Sequence, residues 1–184
     1  MNKKDQLEKI YKEIEESKDL QVGVDNKIVL GEGNVDAEII FVGEAPGRQE
    51  IKEGRPFIGR AGKLLRSLIK EIGMDEKEIY ITNSVKYLPS YGTPKKIDIE
   101  KSRPFIQKEI SIINPRLVVL LGKTAIDTLL EDKDIKVSQT HGKVIEKKKR
   151  KYFIAYHPSA AIRFKRLKEE LVKDFKSLKK YIGL

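Results

Sequence analysis

Five side chains able to do chemistry stand at or beyond the ends of apolar runs, where buried strands would deliver them to a surface. Glu44 follows "EIIFVG" inside the constrained stretch Gly43-Glu44-Ala45-Pro46-Gly47, with Glu50 three residues beyond it and Phe57 behind Pro56. Asn83 closes "IYITN", and His157 follows "YFIAY". Paired carboxylates can hold a water or balance a developing cation. A side-chain amide presents a donor beside an acceptor, an imidazole N–H can stabilise a developing anion, and an aromatic ring can stack on another flat ring. Each residue also has an ordinary use: Glu44 as a cap, Glu50 as a solvated carboxylate, Phe57 as a core plug, Asn83 at a strand end, His157 in a His-Pro turn. Their combination and order single them out. His141 has no apolar run leading into it and receives no role.

The elements that must carry these residues alternate. Leu7, Ile10, Tyr11 and Ile14 predict an amphipathic helix over residues 3–17, within an N-terminal segment 1–20. "KIVLG" is a short strand candidate and "EIIFVG" a buried strand. Leu64, Leu65, Leu68, Ile69 and Ile72 then stripe a helix that stops at Gly73. "IYITNSV" is the next strand, "KYLPSYGTPKK" a loop, and residues 97–113 a helix interrupted near Pro104. "RLVVLLG" is followed by a helix over 123–131. "KVIEKKKRKYFIAYH" reads as two strands around a basic turn, and residues 165–182 as a basic amphipathic helix. Such alternation implies an α/β fold with a mainly parallel sheet covered on both faces. Ligands of these sheets collect at the carboxyl ends of the strands, which sends Gly43–Phe57, Asn83 and His157 to one mouth.

Composition sets the remaining limits. A chain of 184 residues, 39% hydrophobic, predicts one domain over 1–184. The net charge of +10 is concentrated: residues 143–180 hold fourteen basic and four acidic side chains, the whole of the excess. A positive face of this kind attracts phosphate backbones or anionic lipid, although a solvated lysine-rich surface has the same composition. No apolar run approaches the roughly 20 residues of a membrane span, and the first residues lack a signal peptide's apolar centre, so the expected location is cytoplasmic. With zero cysteines, disulfides, thiolate catalysis and cysteine-ligated metal are excluded. Abundant Lys, Glu and Ile suit a heat-adapted protein.

The segments "VGEAPGRQE", "GRPFIGRAGKLL", "IYITNSVK", "PRLVVLLGKTA" and "YHPSAAIR" resemble, in order and spacing, the family 4 uracil-DNA glycosylases over roughly residues 28–180. The resemblance implies a three-layer α/β/α sandwich with a central four-stranded, mainly parallel sheet. It also implies hydrolysis of the bond joining uracil to DNA after the nucleotide is flipped out. By the same likeness the catalytic candidates are Glu44, Glu50 and His157, and the uracil pocket comprises Ala45, Phe57, Asn83 and His157. Phe57 would stack on the base, and Asn83 would match uracil O4 and N3–H, a pattern cytosine reverses. Glu44 would lie closest to the sugar and the attacking water. Glu50 would position water or crowd the face where thymine carries its methyl. DNA contacts are expected from Pro46, Gly47, Ser159, Ala160, Ala161, Ile162, Arg163, Lys165 and Arg166, with the two alanines and Ile162 as an apolar wedge in the minor groove.

The chain departs from that family in a specific way. Family members bind a 4Fe-4S cluster through four cysteines, whose places here fall near Ser17, Leu20, Tyr87 and Ser102. No such side chain ligates a cluster as cysteine does, so neither cluster nor metal is expected, and packing of Leu20 and Tyr87 should replace it. Ile51 stands where the family usually has aspartate. The loop "KYLPSYGTPKK" lacks the histidine of a related branch that crosslinks to abasic DNA. Expected partners are uracil-containing DNA, double- or single-stranded, and free uracil as product, with the protein a monomer and no membrane involved. Two rival readings are a catalytically silent DNA-binding relative and a small nucleotide-binding α/β protein.

Overall fold

In a computed structural model, which describes residues 1–182, three five-residue strands are buried along their whole length: β2 (Ile39–Gly43), β3 (Ile79–Asn83) and β4 (Leu117–Leu121). Unbroken burial is what parallel strands covered on both faces require. β2 pairs in parallel with β3 and β4, and β4 with β6 (Arg150–Ala155). The register sets Gly43 opposite Asn83 and Leu121 opposite Ala155, so the four strand tips finish at one level. These four are the centre of a six-stranded sheet of order β1-β3-β2-β4-β6-β5. Its edges are antiparallel: β1 (Glu32–Gly33) on β3, and β5 (Val144–Lys147) on β6. The last two residues of the expected domain, 183 and 184, lie outside the described ones.

Alternate side chains of the strands enter two separate cores. Ile39, Phe41, Val119 and Phe153 face α3 (Arg60–Glu71) and α8 (Lys165–Ile182), where Leu65, Ile69, Leu171 and Phe175 cover them. Ile40, Val42, Val118 and Ile154 face α1 (Lys3–Glu16), α4 (Lys96–Ile113) and α5 (Lys123–Leu129). The result is the expected three-layer arrangement, with the short helices α2 (Arg48–Glu53), α6 (Val137–Thr140) and α7 (Pro158–Arg163) in the connections.

Two expectations are corrected. "KIVLG" forms no strand: Val29 N–H spends itself on the Lys86 carbonyl at 2.7 Å, beside the loop after β3, and the edge pairing passes to Glu32 and Gly33. α4 runs through Pro104 without a break; this proline is exposed, so the carbonyl it leaves unpaired can face water. Between Gly43 and α3 the short helix α2 takes up part of the connection. The hairpin between β5 and β6 does form, turning on Lys148 and Lys149, both at positive φ.

Candidate active site

Gly43 ends β2 where three groups crowd together. A Cβ at this position would lie 2.3 Å from Phe57 Cζ and 2.5 Å from Asn83 Oδ1, so only hydrogen lets ring and amide meet. Phe57 is buried and has φ +54°, a left-handed conformation uncommon for a large side chain. Its surroundings hold it there. Arg66 Nε donates to the Phe57 carbonyl at 3.1 Å, and the same guanidinium reaches Glu32 and Glu76. Gly62 admits the Phe57 backbone against α3, since a Cβ there would fall 1.8 Å from its carbonyl oxygen.

Asn83 follows from the sheet register, and its Oδ1 is buried without a hydrogen-bond partner. His157 leaves β6 two residues after Ala155 and caps α7. Its Nδ1 accepts the Ser159 backbone N–H at 3.1 Å and lies 2.7 Å from Ser159 Oγ. With Nδ1 an acceptor, the neutral ring carries its proton on Nε2. Nε2 is shut off from solvent and has no partner. Burial pushes the imidazole pKa below its ordinary value, against the Glu44 carboxylate, which favours the charged form. Phe57 and His157 have ring centroids 6.1 Å apart. Together with Glu44, Ala45, Pro46, Gly47 and Asn83 they line one cavity of about 350 Å³, within the range of small-ligand sites.

The two glutamates sit in different surroundings. Glu44 is partly buried at the cavity wall, and its Oε2 accepts the Thr124 hydroxyl at 2.7 Å. Glu50 also borders the cavity, but its carboxylate accepts three backbone N–H groups: Gly47 at 3.1 Å, Ile58 at 3.1 Å and Gly59 at 2.7 Å. It thus closes the loop between β2 and α3 upon itself.

The expected DNA contacts divide. Pro46, Gly47, Ser159 and Arg163 line the cavity. Ile162 and Lys165 border a neighbouring groove. The segment that carries the expected wedge is the helix α7, and Ala161 cannot serve in it because it is 2% exposed and packed in the core. Ala160 borders neither cavity nor groove, and Arg166 faces a different hollow with His141 and Tyr156. His141, given no role above, bonds buried Asp174 at 2.7 Å, and Asp174 also accepts the Tyr156 N–H beside His157.

Behind the site, the positions where the resemblance places cluster ligands are filled. Leu20 and Tyr87 are buried with Ile10, Ile14, Val85 and Ile99, and Ser102 is buried in α4. The Tyr87 hydroxyl donates to Asp98 at 2.5 Å, and Tyr91 and the Lys95 N–H donate to the same carboxylate. Ser17, Leu20, Tyr87 and Ser102 offer no thiolate, and no group of three or more His, Asp or Glu among the described residues could hold a metal. The residues present do not fit a cluster. Sequence reasoning missed Thr124, Ser159 as the partner of His157 Nδ1, and the Asp98 knot. Only "LGKTA", just after a strand, offered a signal for Thr124.

A mainly parallel sheet whose central strand tips share a cavity holding an unpaired amide oxygen and an unpaired imidazole N–H defines an α/β protein with a polar cavity at the carboxyl ends of its strands. The comparisons with known proteins agree. Residues 30–179 match the uracil DNA glycosylase superfamily. The chain is 39% identical to the type-4 uracil-DNA glycosylase of Sulfurisphaera tokodaii over 95% of this chain and 84% of that protein. Those of Thermotoga maritima and Archaeoglobus fulgidus are each 38% identical over 84% of this chain, and over 83% and 82% of their own lengths. The chain belongs to the uracil DNA glycosylase superfamily, in its type-4 branch. Among the described residues no helix is long and apolar enough to cross a membrane.

Proposed function

We propose that this protein, one domain acting as a cytoplasmic monomer, excises uracil from double- or single-stranded DNA and leaves an abasic site. One observation carries the reading: Asn83 Oδ1 and His157 Nε2 are both buried, both unpaired, and both belong to residues of the same cavity. Burying unpaired polar atoms costs about 1–3 kcal/mol each, a cost that a ligand of matching pattern removes. Uracil supplies the match. Its N3–H donates to Asn83 Oδ1, its O4 accepts from the amide nitrogen, and its O2 accepts from His157 Nε2–H. Cytosine would set donor against donor and acceptor against acceptor at the amide.

The chemistry follows from charge development. The C1′–N1 bond breaks with its electron pair leaving on uracil, which becomes an anion as the sugar becomes oxocarbenium-like. Neutral His157 stabilises the anion by its N–H without surrendering a proton, in keeping with its depressed pKa. Glu44, steadied by Thr124, balances the cation and orients the water whose oxygen bonds to C1′. The proton that water loses passes to solvent. Phe57 stacks on the extruded base. Glu50 is assigned to holding the loop, and the cavity wall formed by Ala45 and Pro46 approaches base and sugar.

The test is a labelled oligonucleotide with a single uracil, treated with protein and then alkali. Asn83→Ala, His157→Ala and Glu44→Gln should each slow single-turnover cleavage roughly 10²–10³-fold. Glu50→Gln should act mainly by lowering the melting temperature. Equal cleavage by all variants would remove the site assignment, and none by the wild type would remove the function.

A further inference from the structure

Alongside the cavity runs a groove of about 620 Å³ between α3 and the α7–α8 junction, and every charged side chain lining it is basic: Arg60, Lys63, Arg163, Lys165 and Lys168. All five are exposed, and among the described residues none makes a salt bridge or a side-chain hydrogen bond. Neighbouring cations on the same helices are spent differently. Arg66 is bridged to Glu32 and Glu76, and Lys173 to Glu170. The groove's apolar lining is Leu64, Ala161 and Ile162. Arg60 and Arg163 border both groove and cavity, so the two are continuous.

The other concentration of charge lies elsewhere. Lys147, Lys148, Lys149, Arg150 and Lys151 surround the turn before β6. β6 runs from there to Ala155 at the cavity end, roughly 17 Å away at the rise of an extended strand. Lys147 and Arg150 are moreover tied to the Leu130 and Ile110 carbonyls. Lysines beside an edge strand such as β5 have a sufficient purpose in blocking sheet-to-sheet association.

We infer that the groove is the phosphate track for the DNA strand that carries the flipped nucleotide, with Arg60, Lys63, Arg163, Lys165 and Lys168 on the backbone and neither Arg166 nor the basic hairpin taking part. This rests on the glycosylase reading. Uncompensated cations leading away from a base cavity suit a polyanion threaded past it, and contacts of this kind carry affinity without sequence preference.

The test compares two triple variants of equal charge change, Lys63→Ala/Lys165→Ala/Lys168→Ala and Lys148→Ala/Lys149→Ala/Lys151→Ala, with Arg60 and Arg163 untouched because they border the cavity. The probes are a duplex with one uracil and the same duplex with thymine, titrated by fluorescence anisotropy over a range of salt. Each lost phosphate contact should flatten the plot of log affinity against log salt by about 0.9. The groove variant should therefore lose roughly 2–3 in slope on both duplexes, and the hairpin variant less than 1. A groove variant with wild-type slope, or a hairpin variant that loses as much, overturns the assignment. Excision by the wild type separates the two readings. Groove-dependent binding without excision upholds the track and sinks the function, whereas excision with the slope seated in the hairpin sinks the track alone.

Discussion

Replacing Gly43 with alanine adds one methyl at the point where β2, Phe57 and Asn83 converge. The new Cβ would stand 2.3 Å from the Phe57 ring and 2.5 Å from the Asn83 oxygen, over 1 Å inside ordinary contact distance. The strand cannot retreat, because β2 is paired on both sides. The ring or the amide must move instead. Overpacking of a tight core costs about 1–3 kcal/mol, which for a chain of this size lowers the melting temperature by roughly 2–4 °C per kcal/mol. The larger effect falls on chemistry, since displacing a positioning group by about 1 Å can cost around 10²-fold in rate. Two measurements check it: thermal unfolding, and single-turnover excision of uracil at saturating protein. In Gly43→Ala/Phe57→Leu the methyl gains room on the ring side but still meets Asn83 Oδ1. Stability should recover in part while excision stays low, a coupling that a double-mutant cycle reads directly. If Gly43→Ala keeps both wild-type stability and wild-type excision, Phe57 and Asn83 do not meet as described and the argument for one cavity fails.

The other predictions concern buried charge. Lys86 and Glu109 form a 2.5 Å ion pair with both side chains at 0% exposure, and Glu109 also accepts the Tyr11 and Tyr80 hydroxyls. Burial drives the Lys86 pKa down, and only Glu109 opposes it. Lys86→Ala, which strands the carboxylate, should cost about 3–5 kcal/mol in chemical denaturation; Lys86→Met/Glu109→Gln, which removes both charges but keeps an acceptor for the tyrosines, should recover at least half. For His157, the unfolded chain takes up a proton near the ordinary value of about 6.5, whereas the folded site resists it to lower pH. Its contribution to stability is therefore complete above that value and is lost as pH falls toward the folded pKa. The difference in melting temperature between wild type and His157→Ala should shrink between about pH 7.5 and 5, and a constant difference would refute the buried neutral imidazole.

The strand ends were legible because a parallel sheet writes its strands as unbroken apolar runs, and whatever polar residue follows such a run must surface at the sheet's carboxyl edge. That reasoning located Glu44, Asn83 and His157 without knowledge of a single contact. Other features depend on backbone geometry that no side-chain pattern encodes. Glu50 reads as a carboxylate free for chemistry, yet its partners are three main-chain N–H groups of its own loop. Ala161 reads as an exposed wedge until α7 coils and turns it into the core between α3 and α8. The left-handed Phe57 follows from no local rule. Its conformation is held by Arg66 and by the bare α-carbon of Gly62, both on the helix that follows it, where neither residue type announces the contact.

The missing cysteines connect the packing to the site. A cluster ties separate chain segments together through one centre, and any replacement must do the same with weaker contacts. Asp98 does so for residues 87–98: one buried carboxylate accepts from Tyr87, Tyr91 and the Lys95 N–H. Burial alone would raise its pKa, but the two hydroxyls and the backbone donors outweigh that and hold it below the ordinary carboxylate range. The loop so gathered supplies Leu88, Gly92 and Thr93 to the cavity wall, and the same segment begins at Lys86, anchored to Glu109 from beneath. Asn83 thus stands between β3 and a loop fixed at both ends by carboxylates from α4. A hydrogen-bonded knot depends on pH where a cluster would depend on oxidants and chelators. That is a sufficient physical basis for a type-4 chain to keep this cavity wall in place without the four cysteines.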